Sequence, residues 1–170
     1  MEIYKIKIFL KTNSFQLITS LILFLTLTIM FYQFLDTKKT NSNNIILEIS
    51  RDLYSGVNYP NNPKIIESIV YNKPILAENG GEILGSDLTK YLNLLEWVAS
   101  IEKLGIVDDE MVYTMFGDII VSSYQNTEIN NFIDEIRKLE GGKNFYLSFE
   151  ELVKKVASYD ERNIGFFKKQ

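Results

Sequence analysis

Between Phe15 and Leu35 the chain runs for 21 residues without a charge, and no other property of the sequence restricts its fold so tightly. At about 1.5 Å of helical rise per residue this length crosses a hydrocarbon layer of roughly 30 Å. The polar members of the run, Gln16, Thr19, Ser20, Thr26, Thr28 and Gln33, are uncharged. A Ser or Thr hydroxyl can bond back to a carbonyl one turn earlier, so a membrane helix tolerates them. Phe31, Tyr32 and Phe34 gather at the C-terminal end, where an amphipathic ring suits the headgroup level. The stretch reads as one membrane-spanning helix, which makes the lipid bilayer the first expected partner. A cleaved signal peptide is the competing reading, because Lys5, Lys7 and Lys11 form a basic segment ahead of the run. Its length exceeds that of an ordinary signal core, and Tyr32 to Asp36 offers no small-x-small cleavage site. A core helix of a soluble protein is disfavoured, since such a helix carries a polar stripe and this run has none. No pair of Gly or Ala residues marks a close-packing face for self-association.

This anchor divides the chain into a basic segment over 1–14, the span over 15–35, a polar Asn-rich tether over 36–44, a domain over 45–160 and a tail over 161–170. About 130 residues beyond the tether are enough for one domain with a real core. A net charge of −4 and a pI near 5.0 give no basic footprint for nucleic acid. The chain has no Cys and no His. Disulfides, thiol nucleophiles, Cys/His zinc sites and histidine acid-base chemistry are thereby excluded. Lysines before the span are nearly matched by Lys38 and Lys39 after it, so charge alone does not decide the side of the membrane.

The remainder reads as all-α. Ile45, Ile46, Ile49 and Leu53 recur at helical spacing up to Gly56. Asn62 and Pro63 are placed as cap and first residue of a short helix through Ile65, Ile66 and Ile69. Residues 75–85 show no periodicity. Ser86 or Asp87 is expected to cap a central helix to Leu104, whose apolar residues, Trp97 among them, cover most of the circumference and leave a thin polar arc of Thr89, Asn93, Glu96, Ser100 and Lys103. Glu102 projects toward the apolar side in the last turn, with solvent within reach. Gly105 sits where a left-handed residue closes a helix, with Ile106 to complete the Schellman motif. Asp108 caps the next helix, Asp109 to about Gln125, and Val107 can staple onto Val112. Gly117 in its middle implies close approach by a neighbouring element. Thr127 is expected to cap a further amphipathic helix, and Ser148 with Glu151 forms a capping box for the last one. The first two of these domain helices around Gly105 are expected to pack as the central pair.

The runs YLNLLEWVASIEKLGIVDDEMVYTMFGDIIVSSY from Tyr91 and FEELVKK from Phe149 resemble an uncharacterised prokaryotic family, domain of unknown function 4760. That resemblance covers roughly residues 45–159 and implies one N-terminal span before a compact helical domain. Basic residues after the span in that family imply a cytoplasmic domain, although only Lys38 and Lys39 occupy those positions here. The family carries over no catalytic residue.

Candidate sites are few. The helix-turn-helix spacing at Gly105 suggests DNA binding, but the second helix has no Lys or Arg and carries Asp109, Glu110 and Asp118, which phosphates would repel. Asp108, Asp109 and Glu110 lack the spacing of a cation loop and serve as cap and dipole partners. Glu96, on its thin polar arc, calls for a partner such as Arg137 or a hydroxyl; the sharper alternative makes it a general base or metal ligand together with Asp118. Phe166, Phe167, Lys168 and Lys169 could touch a bilayer or fray in solvent. With no cofactor motif present, the composite expectation is a membrane-anchored helical interaction or accessory protein with another protein as partner, non-enzymatic in preference to a hydrolase or toxin-like effector using Glu96 and Asp118.

Overall fold

The computed structural model describes the backbone over 2–139 and 141–167 and the side chains over 20–139 and 141–159. The side chains of Lys5, Lys7, Lys11, Phe166 and Phe167, and all of Lys168 and Lys169, lie outside the described residues. Every regular element among the described residues is helical. The chain divides into two units, 1–41 and 42–170.

In the first unit the backbone is one helix, the N-terminal part of α1 (Glu2–Ser50). Its large apolar side chains between Leu21 and Leu35 are all exposed, none below 45%. Such a surface has no solvent-compatible face, because apolar groups point outward on every side. Thr26 and Thr28 spend their hydroxyls on the carbonyls of Ile22 and Phe24, one turn back, at 2.8 Å each. The polar segment 36–44, expected as a tether, is helical, and the second unit begins at Ser42, three residues before the expected domain start at Ile45. Asn and Thr are only mildly unfavourable in a helix already propagating, so composition alone does not interrupt it.

The second unit begins with the end of α1. Ile46, Ile49 and Leu53 are fully buried there, as their spacing implies, and a π-helical turn over Arg51–Ser55 ends at Gly56. Five further helices follow: α2 (Asn62–Val70), α3 (Gly85–Lys103), α4 (Asp109–Gln125), α5 (Thr127–Lys138) and α6 (Leu147–Phe167). The α3–α4 junction forms as the sequence dictates. Gly105 takes φ of +64°, Ile106 donates to the Ile101 carbonyl and Gly105 to that of Glu102, and the Asp108 carboxylate accepts from Met111. Val107 and Val112 on either side are buried.

Packing departs from expectation in one respect: α6 lies against both α3 and α4 and contacts each more extensively than they contact one another. The central element is therefore the last helix rather than the α3–α4 pair. Gly117 marks its approach, since a Cβ there would meet Val156 of α6 at 3.1 Å. Several caps also move, by one to three residues. Leu84, without a side-chain bond, precedes α3, while Asp87 joins Asn61 and Lys90. Asn61 precedes α2, and Asn62 donates instead to the Asp52 carbonyl. Asn126 rather than Thr127 caps α5, accepting from Glu128 and Ile129. The segment 75–83 closes on itself through a bridge between Leu76 and Ile83 and buries both with Ile75.

Candidate functional site

Glu96 occupies the middle of α3, partly buried, and its carboxylate meets the first turn of α6. The N–H of Phe149 donates to one oxygen at 2.7 Å and that of Ser148 to the other at 3.2 Å. The first amides of a helix have no partner inside it and sit at the positive end of its dipole, so a carboxylate is the natural acceptor. Glu96 thus caps α6 from another helix. Neither expected partner is used: Arg137 binds the Phe145 carbonyl and pairs with Glu150.

The capping box expected of Ser148 and Glu151 is not formed. Its helix starts at Leu147, the Ser148 amide is already taken by Glu96, and Glu151 pairs with Lys103 at 2.7 Å. Just before this turn Tyr146 holds φ of +62° although its ring is almost wholly buried. A left-handed conformation costs a bulky residue about 1–2 kcal/mol, which the buried ring and the anchored turn after it offset. Burial raises the Tyr146 phenol pKa, and the nearby Glu96 charge adds to the rise.

Asp118 is exposed on α4, within electrostatic reach of Tyr54, whose phenol donates to the Met115 carbonyl at 3.0 Å. No hydrogen bond joins Asp118 to Glu96. Among the described residues no group of three or more Asp and Glu side chains is placed to hold a metal ion. Asp108, Asp109 and Glu110 occupy the cap and first turn of α4.

Two other carboxylates differ from their reading in the sequence: Glu102 is expected to reach solvent, and Glu128 is not singled out. Glu102, 99% buried by side chain, accepts from both Lys155 at 2.7 Å and Tyr113 at 2.8 Å, so the last turn of α3 does not release it to solvent. Glu128 on α5 accepts from the amides of Ile75 and Leu76 and from Asn79, which pins the 75–83 segment. Burial alone would raise the Glu128 pKa, but these three donors outweigh it and hold the carboxyl below its ordinary value. Lys155, Ile75 and Leu76 lie just over fifty residues away from the Glu each one meets, and Tyr113 lies eleven residues from Glu102, so these contacts depend on tertiary packing.

Two of the shallow depressions on this unit are lined wholly by described residues. One of about 330 Å³ is lined by Asn44, Glu48, Arg51, Asp52 and Asn58, and there Asn58 already binds the Asp52 carboxylate at 2.7 Å. The other, about 170 Å³, lies among Tyr59, Lys90, Asn93 and Trp97, with Trp97 41% exposed rather than inward. Neither aligns a free nucleophile with a base, the minimum for covalent hydrolysis.

Fold and site together define an all-helical domain, stapled by carboxylate-to-amide contacts, that follows a long apolar N-terminal helix. The chain belongs to the family described as a domain of unknown function, DUF4760, whose profile matches residues 20–156. No curated protein and no solved structure matches it.

Proposed function

We propose that this protein is a single-pass, membrane-anchored helical module that acts by binding another protein, with its domain on the cytoplasmic side. The observation that carries the anchor is the helix surface between Leu21 and Leu35, apolar and exposed on every side in a run without a charge. Lipid is the environment that such a surface fits. The non-enzymatic part draws support from Glu96, whose oxygens are occupied by the α6 amides and lie unlinked to Asp118. Tethering confines a domain to a thin layer and raises its effective concentration for partners on the same surface, so weak contacts suffice.

The test uses the full chain in cells. A retained anchor leaves the intact-mass protein in the membrane pellet after alkaline carbonate extraction. Recovery of a shortened chain in the soluble fraction would establish a cleaved signal and overturn the anchor. Because the chain has no native Cys, Gln170→Cys supplies a background-free thiol. Labelling by an impermeant maleimide only after permeabilisation is the expected result; labelling of intact cells would place the domain outside.

A further inference from the structure

We propose that the turn between α3 and α4 is a second membrane contact, with Leu104 and Ile106 seated in the lipid surface beside the anchor. The inference rests on the anchor reading above. Leu104 is 72% exposed, more than any other large apolar side chain among the described residues, those between Leu21 and Leu35 included. Ile106, two residues on, is 42% exposed. Between them a Cβ on Gly105 would meet nothing within 4 Å, so the turn stands clear of the rest of the domain. Single exposed apolar side chains are ordinary, but two at the tip of one protruding turn form a small apolar edge.

The place of that edge in the chain selects lipid as its occupant. Ser42, in the part of α1 that belongs to the domain, accepts through its hydroxyl from the Asp108 amide at 3.3 Å, just past the turn. Ser42 is seven positions after Leu35, which is about 10 Å of helix and at most about 25 Å of fully extended chain. The headgroup layer itself fills roughly the first 5–8 Å of that distance, so the turn is held within reach of the bilayer whatever angle the domain takes. Two side chains are too few to hold a free domain on a membrane, but in a domain already anchored there the contact is effectively intramolecular. Charge argues for an apolar contact rather than an attraction to anionic headgroups. Lys103, before the turn, is paired with Glu151, and Asp108, Asp109 and Glu110 follow it. Lipid without net charge is therefore the favoured surface.

Single-cysteine versions of the full chain, which has no native Cys, test the contact after labelling with a small fluorophore and reconstitution in phosphatidylcholine vesicles. Leu104→Cys is compared with Leu84→Cys, because Leu84 is 61% exposed and lies at the other end of α3, about 30 Å away along the helix. Each protein is first shown to unfold cooperatively in urea by its Trp97 fluorescence. Nitroxides carried on the upper acyl chain should quench the Leu104→Cys probe at least about twofold more strongly than the Leu84→Cys probe, and Ile106→Cys should follow Leu104→Cys. Replacing part of the lipid with phosphatidylglycerol should not strengthen the quenching; a marked increase would overturn the apolar contact in favour of an electrostatic one. Equal quenching at the two ends of α3, or quenching by headgroup nitroxides alone, would overturn the turn contact and leave the anchor standing if the chains still resist carbonate extraction. Release by carbonate would instead overturn the anchor and the contact with it.

Discussion

Glu96→Ala removes both acceptors from the first turn of α6 at once. The Phe149 bond at 2.7 Å is short and charge-assisted, and the Ser148 bond at 3.2 Å is weaker. A hydrogen bond to a charged group contributes about 1.5–3 kcal/mol, and loss of a side-chain cap costs about 0.5–2 kcal/mol. These figures describe the same contacts and do not add. Because Glu96 is partly buried, water can reach the freed amides to some extent, so about 2 kcal/mol is the expected loss. Glu96→Gln keeps one acceptor oxygen but no charge and should lose about half of that, near 1 kcal/mol. Trp97, the only tryptophan, adjoins the site and reports unfolding by its fluorescence. In urea titrations of the full chain in mild detergent, the alanine variant should unfold at a midpoint lower by about 1 M, given a slope of about 1–3 kcal/mol per M. An alanine midpoint matching the native one, or a glutamine variant no more stable than alanine, would refute the capping role.

Other contacts predict equally direct outcomes. Lys155→Met leaves the Glu102 carboxylate buried with only the Tyr113 hydroxyl and should cost about 3 kcal/mol, whereas Glu102→Met lets the half-exposed Lys155 turn to water and should cost less than about 1.5 kcal/mol; equal losses in the same titration would contradict this asymmetry. Gly117→Leu should lose about 1–3 kcal/mol against Val156, while Gly117→Ala should lie near zero, because its gain of about 1 kcal/mol in helix propensity offsets a small adjustment of that side chain. Glu128 has a folded pKa below its unfolded one, so its contribution is complete above the ordinary carboxylate range and is lost as pH falls through the folded value. Glu128→Gln should therefore be less stable than the native chain at pH 7, and the difference should shrink below about pH 4, as followed by urea midpoints across pH.

What the sequence discloses follows the range over which its physics operates. The Gly105 turn and the Asp108 cap are legible because each is decided within six residues, by a left-handed position and a free amide. The buried faces of α1, α4 and α5 are legible from spacing, since Ile46, Ile49, Phe116, Ile120, Ile129 and Ile133 are all in the core. Caps slip by one residue where two adjacent residues have equal capping chemistry, as Asn126 and Thr127 do. Trp97 shows the limit of a helical projection: it places a residue on an apolar arc without showing whether another element covers that arc.

Carboxylates are where local reading fails, and the failure has one cause. A Glu on a helix surface has the same sequence signature whether its oxygens meet water, a lysine or the open end of another helix. Glu96, Glu102 and Glu128 each end on groups about fifty residues distant, so only tertiary packing distinguishes them. Ser148 and Glu151 illustrate the converse. Their spacing satisfies the rule for a capping box, yet Glu96 and Lys103 on α3 take the amide and the carboxylate that the box would have used. A local pattern forms only when no distant group competes for its atoms, and α6 starts where α3 supplies a stronger acceptor. This competition also bears on function: a carboxylate consumed in starting a helix is unavailable as a general base. Its exposure in sequence space, on a thin polar arc, is the mark of a contact between helices before it is the mark of chemistry.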